Sequence, residues 1–191
     1  MKISEIAFYN NEDTRNVAKA GCDVALKIIE DASPEQMQYL GLSEETRTTL
    51  KKTVFVTTDK AESEFLTNVA FCLEKSQEMG VPVIEYSDKV ADMAFQNAIT
   101  DVAGQLSIAA QVFEKADGNK EALEKTFLEN YGVIHAKAGK VMQKFDVNLW
   151  HENKEPNPLY PNGFARTTKE ILKQIPGAPK AVVERYDPLY S

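Results

Sequence analysis

Two polar residues on a long apolar helix are the part of this sequence best suited to chemistry. Asp101 and Gln105 lie one helical turn apart in the stretch from Ser87 to Lys115, whose apolar residues cover a broad sector. A buried carboxylate is costly to desolvate, so Asp101 must either meet a cation or donor from a facing helix or line a polar pocket. The sequence leaves both alternatives open.

His135 is the third candidate for such a pocket. It lies at the edge of the apolar face of the following helix, where it is either a base or pH sensor, or a partly buried histidine bonded to a neighbouring carbonyl. The other histidine, His151, is distant in sequence, and nothing around the two has the spacing of metal ligands. We therefore expect no metal site, and we expect Cys22 and Cys72 to be buried thiols.

The short motifs that mark many enzymes do not occur in this sequence. It contains no phosphate-binding glycine loop, dinucleotide fingerprint, paired-histidine zinc helix or nucleophile elbow. This favours a protein without catalytic residues or a cofactor, although catalytic groups that converge only in three dimensions leave no linear motif.

Two further sets of residues are candidates for docking a partner. The first is a basic strip of Lys137, Lys140 and Lys144, which lies away from the core face of its helix. The strip is either a solvated face that complements the helix dipole or a docking site for an acidic partner. The second set is apolar and lies near the end of the chain: Ile171, Leu172, Ile175 and Tyr186.

The parts of the chain that must position these candidates mostly have the apolar periodicity of helices. It predicts a helix from Glu12 to Asp31, a short helix with Ser33, Pro34 and Gln36 at its start and Gly41 at its end, and another opened by Ser43. Two long antiparallel helices follow, Ser87 to Lys115 and Asn119 to Phe145; the predicted core positions of the second are Leu123, Phe127, Tyr131, Ile134, Ala138, Val141 and Phe145. The fold class predicted from this pattern is a mostly α multi-helix bundle covering residues 1–150.

The alternative is an α/β fold with a small parallel sheet. Residues 3–10, 53–58 and 81–86 are rich in β-branched or aromatic side chains, and a good helical pattern separates the last two. Strand, helix and strand would then form one parallel crossover unit. We favour the helical bundle because such short strands make only a small sheet.

Residues 151–191 form a second region, because six of the eight prolines lie beyond residue 155. We expect an extended C-terminal arm with one short helix at about residues 168–175, opened by a capping box of Thr167 and Glu170. The arm docks on its own body, crosses to another copy of the chain or forms a disordered tail, and the sequence does not decide among these.

Charge and hydropathy limit the classes of partner. The formal net charge is −7, and the acidic residues are concentrated before residue 136. Such a body repels a phosphate backbone, so we expect no nucleic-acid partner. The longest uncharged run, residues 102–113, is too short for a bilayer, and charges among the first residues interrupt any signal-peptide core. These features predict a cytoplasmic protein with no membrane association.

Two functions are consistent with these features. The preferred one is a non-catalytic helical assembly or interaction protein, such as an accessory subunit or a component of a larger particle, whose partner is a protein and in the first instance another copy of itself. The alternative is a small-molecule-binding protein or enzyme with a polar pocket between helices near Asp101, Gln105 and His135.

Overall fold

Helices make up most of the computed structural model, which describes residues 12–57, 65–86, 95–146 and 157–178. This confirms the predicted mostly α multi-helix bundle. The elements in chain order are α1 (Glu12–Glu30), α2 (Pro34–Leu40), α3 (Glu44–Lys51), β1 (Val54–Thr57), α4 (Phe65–Met79), β2 (Val83–Tyr86), α5 (Phe95–Lys115), a 3₁₀ turn (Lys120–Ala122), α6 (Leu123–Glu129), α7 (Tyr131–Phe145) and α8 (Phe164–Leu172).

The short helices α2 and α3 begin where the sequence places them. The Ser33 hydroxyl accepts from the Gln36 backbone N–H, and the Gln36 side chain accepts in return from the Ser33 N–H, which completes the predicted capping box. Gly41 ends α2 with a φ of 71°, a left-handed conformation that favours glycine. Ser43 caps α3 by accepting from the Thr46 N–H.

Val54–Thr57 and Val83–Tyr86 form short strands, a point that the sequence left undecided, and a pair this small leaves the chain mostly helical. β1 and β2 pair in parallel with Val54 opposite Val83, and α4 is the crossover between them. The Ser76 hydroxyl of α4 accepts from the buried N–H of Val83, which fixes the start of β2. The proposed third strand, residues 3–10, lies outside the described residues.

α5 is the central helix of the bundle and packs against both α1 and α7. A Cβ built on Gly21 of α1 would lie 2.9 Å from the carbonyl oxygen of Phe95, so these two backbones cross closely. Gly104 of α5 faces Met142 near the end of α7, whereas Gln111, further along α5, bonds to Ile134 near its beginning. The two helices therefore run antiparallel, as predicted.

The helix predicted from Asn119 to Phe145 is divided at Asn130. Asn119 caps the 3₁₀ turn, and Asn130, with φ −114° and ψ 13°, separates α6 from α7. Backbone bonds from the Asn130 N–H to Thr126 and from the Ile134 N–H to Asn130 nevertheless continue the helical spacing through the junction. The outward faces of α6 and α7 are consequently continuous.

The described part of the C-terminal region, residues 157–178, packs on the chain's own helices. Leu159, Tyr160 and Leu172 are buried in the main core together with residues of α1 and α5. The Tyr160 hydroxyl donates to the carbonyl of Phe145, and the Asn157 amide donates to the carbonyl of Lys144. These contacts hold residues 157–160 against the end of α7.

The helix in this region differs from the prediction. α8 begins at Phe164, with Gly163 at its N-cap, and ends at Leu172, so the expected range of about 168–175 was displaced toward the C-terminus. Thr167 does not cap the helix but lies within it, beside the fully buried Thr168. The Thr167 and Glu170 spacing matched a capping box, but the helix begins earlier, at Phe164, whose ring contacts that of Tyr160.

Candidate functional site

Two of the three predicted pocket residues share a helix turn, and the third lies at a different level of the bundle. Asp101 and Gln105 are half-buried in the first half of α5. His135 is adjacent to Ile134, whose carbonyl accepts from Gln111, and Gln111 lies about 15 Å further along α5 than Asp101 at 1.5 Å per residue. The structure therefore does not bring His135 to Asp101.

Asp101 lies close enough to Cys22 for its negative charge to act on the thiol. Cys22 is 1 % exposed, and burial raises the pKa of its thiol far above the usual value, with the negative charge of Asp23 and a smaller effect of Asp101 in the same direction. A thiol held protonated in this way is a poor nucleophile. Cys22 and Cys72 are not joined by a disulfide, and Cys72 is only half-buried, so the expectation of two buried thiols holds for Cys22 alone.

His135 belongs to an aromatic cluster at the α6–α7 junction. Its ring centroid lies 4.1 Å from that of Tyr131 and 6.4 Å from that of Phe127. The half-buried position at the edge of the apolar face agrees with the sequence. Such ring contacts pack a helix junction.

Several buried polar groups that the sequence analysis did not single out form structural bonds. Gln111, 4 % exposed, donates to the Ser107 hydroxyl at 3.1 Å and to the Ile134 carbonyl at 3.3 Å. Thr46, 1 % exposed, donates to a carboxylate oxygen of Glu114 at 3.2 Å and thereby links α3 to α5. Their only sequence signal is a polar residue at an apolar helical position, which does not reveal the partner on another helix.

The basic strip is only partly available for a partner. Lys140 is exposed, whereas Lys137 and Lys144 are half-buried. The Lys144 ammonium lies 4.2 Å from the centroid of the Tyr39 ring, a cation–π contact that connects α7 to α2. Lys144 thus has a contact within the chain, and Lys140 is the most accessible cation of the three.

The apolar docking candidates lie against the chain's own core. Leu172 is 1 % exposed, and the half-buried Ile171 and Ile175 pack against the same core cluster. Leu172 is therefore covered by its own chain, and Ile171 and Ile175 are partly covered by it. Tyr186 lies outside the described residues.

The largest exposed apolar side chains at the α6–α7 junction form a surface that the sequence analysis missed. Leu128, Tyr131 and Val133 are 57 %, 41 % and 63 % exposed, and Gly132 and Ala136 beside them are exposed as well. We call these five residues the outer face. Tyr131 was predicted to be a core residue, but its side chain is 41 % exposed, although the other predicted core positions of α6 and α7 are buried. The sequence signal for this surface was that Leu128 and Val133 are apolar residues at positions between those predicted for the core.

The described residues offer no close cluster of three or more histidine, cysteine, aspartate or glutamate side chains that would suit a metal ion. None of the helices in the described ranges combines the length and the apolar composition needed to cross a bilayer.

Comparisons with protein families, with curated protein sequences and with solved structures give no significant match.

Proposed function

We propose that this chain is a non-catalytic helical interaction protein, a component of an assembly, whose first partner is another copy of itself. The observation that carries the proposal is the outer face, in which Leu128 and Val133 are each more than half exposed. Clusters of exposed apolar side chains are uncommon on proteins that stay monomeric, and they commonly mark interaction sites.

The arrangement of the polar candidates supports the same proposal. Asp101 and His135 lie at different levels of the bundle, and the buried polar side chains Gln111 and Thr46 have partners within the chain. Buried polar groups that bond each other fix helix positions, and they offer fewer free groups to a substrate.

The test is sedimentation equilibrium of the full chain from low to high micromolar concentration. We expect reversible association, with the apparent mass rising with concentration. A chain that stays monomeric over the whole range would contradict the proposal.

A thermal-shift screen with small metabolites tests the pocket alternative. A ligand that binds the native state raises the melting temperature by mass action. We expect no such shift. A reproducible shift that the Asp101→Ala variant abolishes, while the Gln143→Ala variant with its exposed side chain retains it, would establish the pocket function in place of assembly.

A further inference from the structure

α5 and α7 are in close contact where the thioether of Met142 lies against Gly104. A Cβ built on Gly104 would lie 2.6 Å from both the Cγ and the Sδ of Met142, and 3.7 Å from its Cε. Cβ atoms do not approach other atoms so closely, so the thioether fills the space that a side chain at position 104 would need. The sulfur of Met142 is therefore packed directly on the backbone of the central helix.

Met142 is not sealed within the core. Its side chain is half-buried, whereas Val141 and Phe145 on the same helix are 0 % and 1 % exposed. Of the other methionines in the described ranges, Met37 is 3 % exposed and Met79 is 49 % exposed. Met142 thus lies between these extremes, partly accessible to a small reagent and still in contact with a second helix.

The chemistry of a thioether makes this contact sensitive to oxidation. The sulfur attacks hydrogen peroxide; an S–O bond forms as the O–O bond breaks, the sulfur gives up two electrons, and the departing hydroxide takes a proton to become water. The product is a polar sulfoxide. Such a group is costly to hold against helix backbone whose N–H groups are already bonded, so the oxidised side chain should leave Gly104 for water. The vacated space then costs packing energy.

The contact at Met142 lies in the last turn of α7, where the C-terminal region is attached. The carbonyls of Lys144 and Phe145, two and three residues further on, accept from the side chains of Asn157 and Tyr160. A last turn that moves away from α5 carries both of these acceptors with it. Loss of the thioether contact should therefore weaken the docking of the C-terminal region as well.

From these contacts we propose that Met142 is a redox-sensitive lock. Its thioether holds the end of α7 on α5, and oxidation to the sulfoxide by a peroxide loosens that end together with residues 157–160. The lock can close again, because methionine sulfoxide reductases return the thioether. In that step the sulfoxide oxygen leaves as water and two thiols are oxidised to a disulfide.

Peroxide treatment followed by thermal unfolding tests the lock. Once peptide mapping shows that Met142 is oxidised, the melting temperature should fall by about 3–8 °C, as expected for the loss of one packed side chain from a chain of this size. Trypsin should cleave residues 157–178, at sites such as the exposed Arg166 and Lys173, at least about threefold faster than before oxidation. Treatment with the reductases and dithiothreitol should restore both values.

Met142→Leu and Met79→Leu are the matched variants. Met142→Leu has no sulfur at the contact, so peroxide should change its melting temperature by less than about 1 °C. Met79→Leu lacks an exposed sulfur but keeps the lock, and it should respond like the original chain. An equal fall in Met142→Leu would assign the effect to another residue and overturn the proposal. So would a Met142 that stays unmodified when Met79 is fully oxidised, or one that is oxidised without a change in melting temperature.

Gly104→Ala tests the same contact without oxidation. The new Cβ takes the space of the thioether, so Met142 has to leave as it does in the oxidised chain. We expect a lowered melting temperature and faster trypsin cleavage of residues 157–178, with a further fall of less than about 2 °C after peroxide. Gly139→Ala is the control for helix propensity, because a Cβ there meets nothing within 4 Å. If Gly104→Ala is as stable as Gly139→Ala, the thioether does not hold α7 on α5.

Discussion

At the scale of single residues, three interior groups, Gln111, Ser76 and Cys22, have partners or surroundings that reduce their reactivity. Gln111 donates to two oxygens from within the core, and Ser76 accepts from a buried strand N–H. Cys22 is surrounded by apolar side chains of the main core. These residues stabilise helix and strand positions, because an unpaired buried polar group would cost about 1–3 kcal/mol.

The two thiols should differ in reactivity for this reason. Burial raises the pKa of Cys22, so little thiolate forms at neutral pH, and the 1 % exposure of the side chain also limits access. We expect N-ethylmaleimide to modify Cys72 at least about tenfold faster than Cys22 in the native protein at pH 7. Peptide mapping by mass spectrometry measures both rates.

The control for this experiment is the same reaction in concentrated urea, where the two thiols should react at similar rates. Equal rates in the native protein would show that Cys22 is accessible and that α1 opens readily around it.

At the scale of elements, close backbone contacts at glycine fix how α1 and α5 cross. The nearest atoms to a Cβ on Gly21 are the Phe95 carbonyl oxygen at 2.9 Å and the Ala98 Cβ at 3.0 Å. Neither atom is at the end of a flexible side chain, so a methyl group can be accommodated only if the helices move apart.

Gly21→Ala should therefore lower the free energy of unfolding by about 1–3 kcal/mol, despite the better helix propensity of alanine. Gly139→Ala in α7 is the matched control, because a Cβ there meets nothing within 4 Å. We expect the control to raise the free energy of unfolding by about 0.5–1 kcal/mol. Urea denaturation at low protein concentration measures both changes, and equal stabilisation by both would mean that α1 and α5 do not cross at Gly21.

At the scale of the whole molecule, the C-terminal region closes the core. Tyr160 is 4 % exposed, and its hydroxyl donates to the Phe145 carbonyl at the end of α7. The Gln36 amide also donates to the Pro158 carbonyl, which connects this region to α2. Residues distant in sequence thus complete one hydrophobic core.

Tyr160→Phe removes the hydroxyl and leaves the Phe145 carbonyl without that donor, so the free energy of unfolding should fall by about 1–2 kcal/mol. Tyr131→Phe serves as the control, since Tyr131 is 41 % exposed and its substitution should change stability by less than about 0.5 kcal/mol. Thermal or urea unfolding followed by circular dichroism provides the comparison. If the two variants lose the same stability, residues 157–160 do not dock on α7 in solution.

Local sequence was sufficient for much of the helical architecture. Ser33, Gln36 and Gly41 specify α2 through bonds within a few residues, and the apolar repeat predicts α5 and α7 as antiparallel neighbours. The local pattern did not decide between strand and helix at Val54–Thr57, since short apolar runs suit both. Pairing with Val83–Tyr86 decides it by satisfying the backbone groups of both strands.

The sequence by itself determined the helical class, the caps of α2 and α3 and the acidic character of the chain, because periodicity and capping act over one or two helical turns. Only the tertiary structure decided that Asp101 and His135 lie apart, that Leu172 is buried within its own chain, and that Leu128 and Val133 face outward. These outcomes depend on which helices meet. Periodicity shows which residues share a face, and packing between distant segments determines which of those faces are covered.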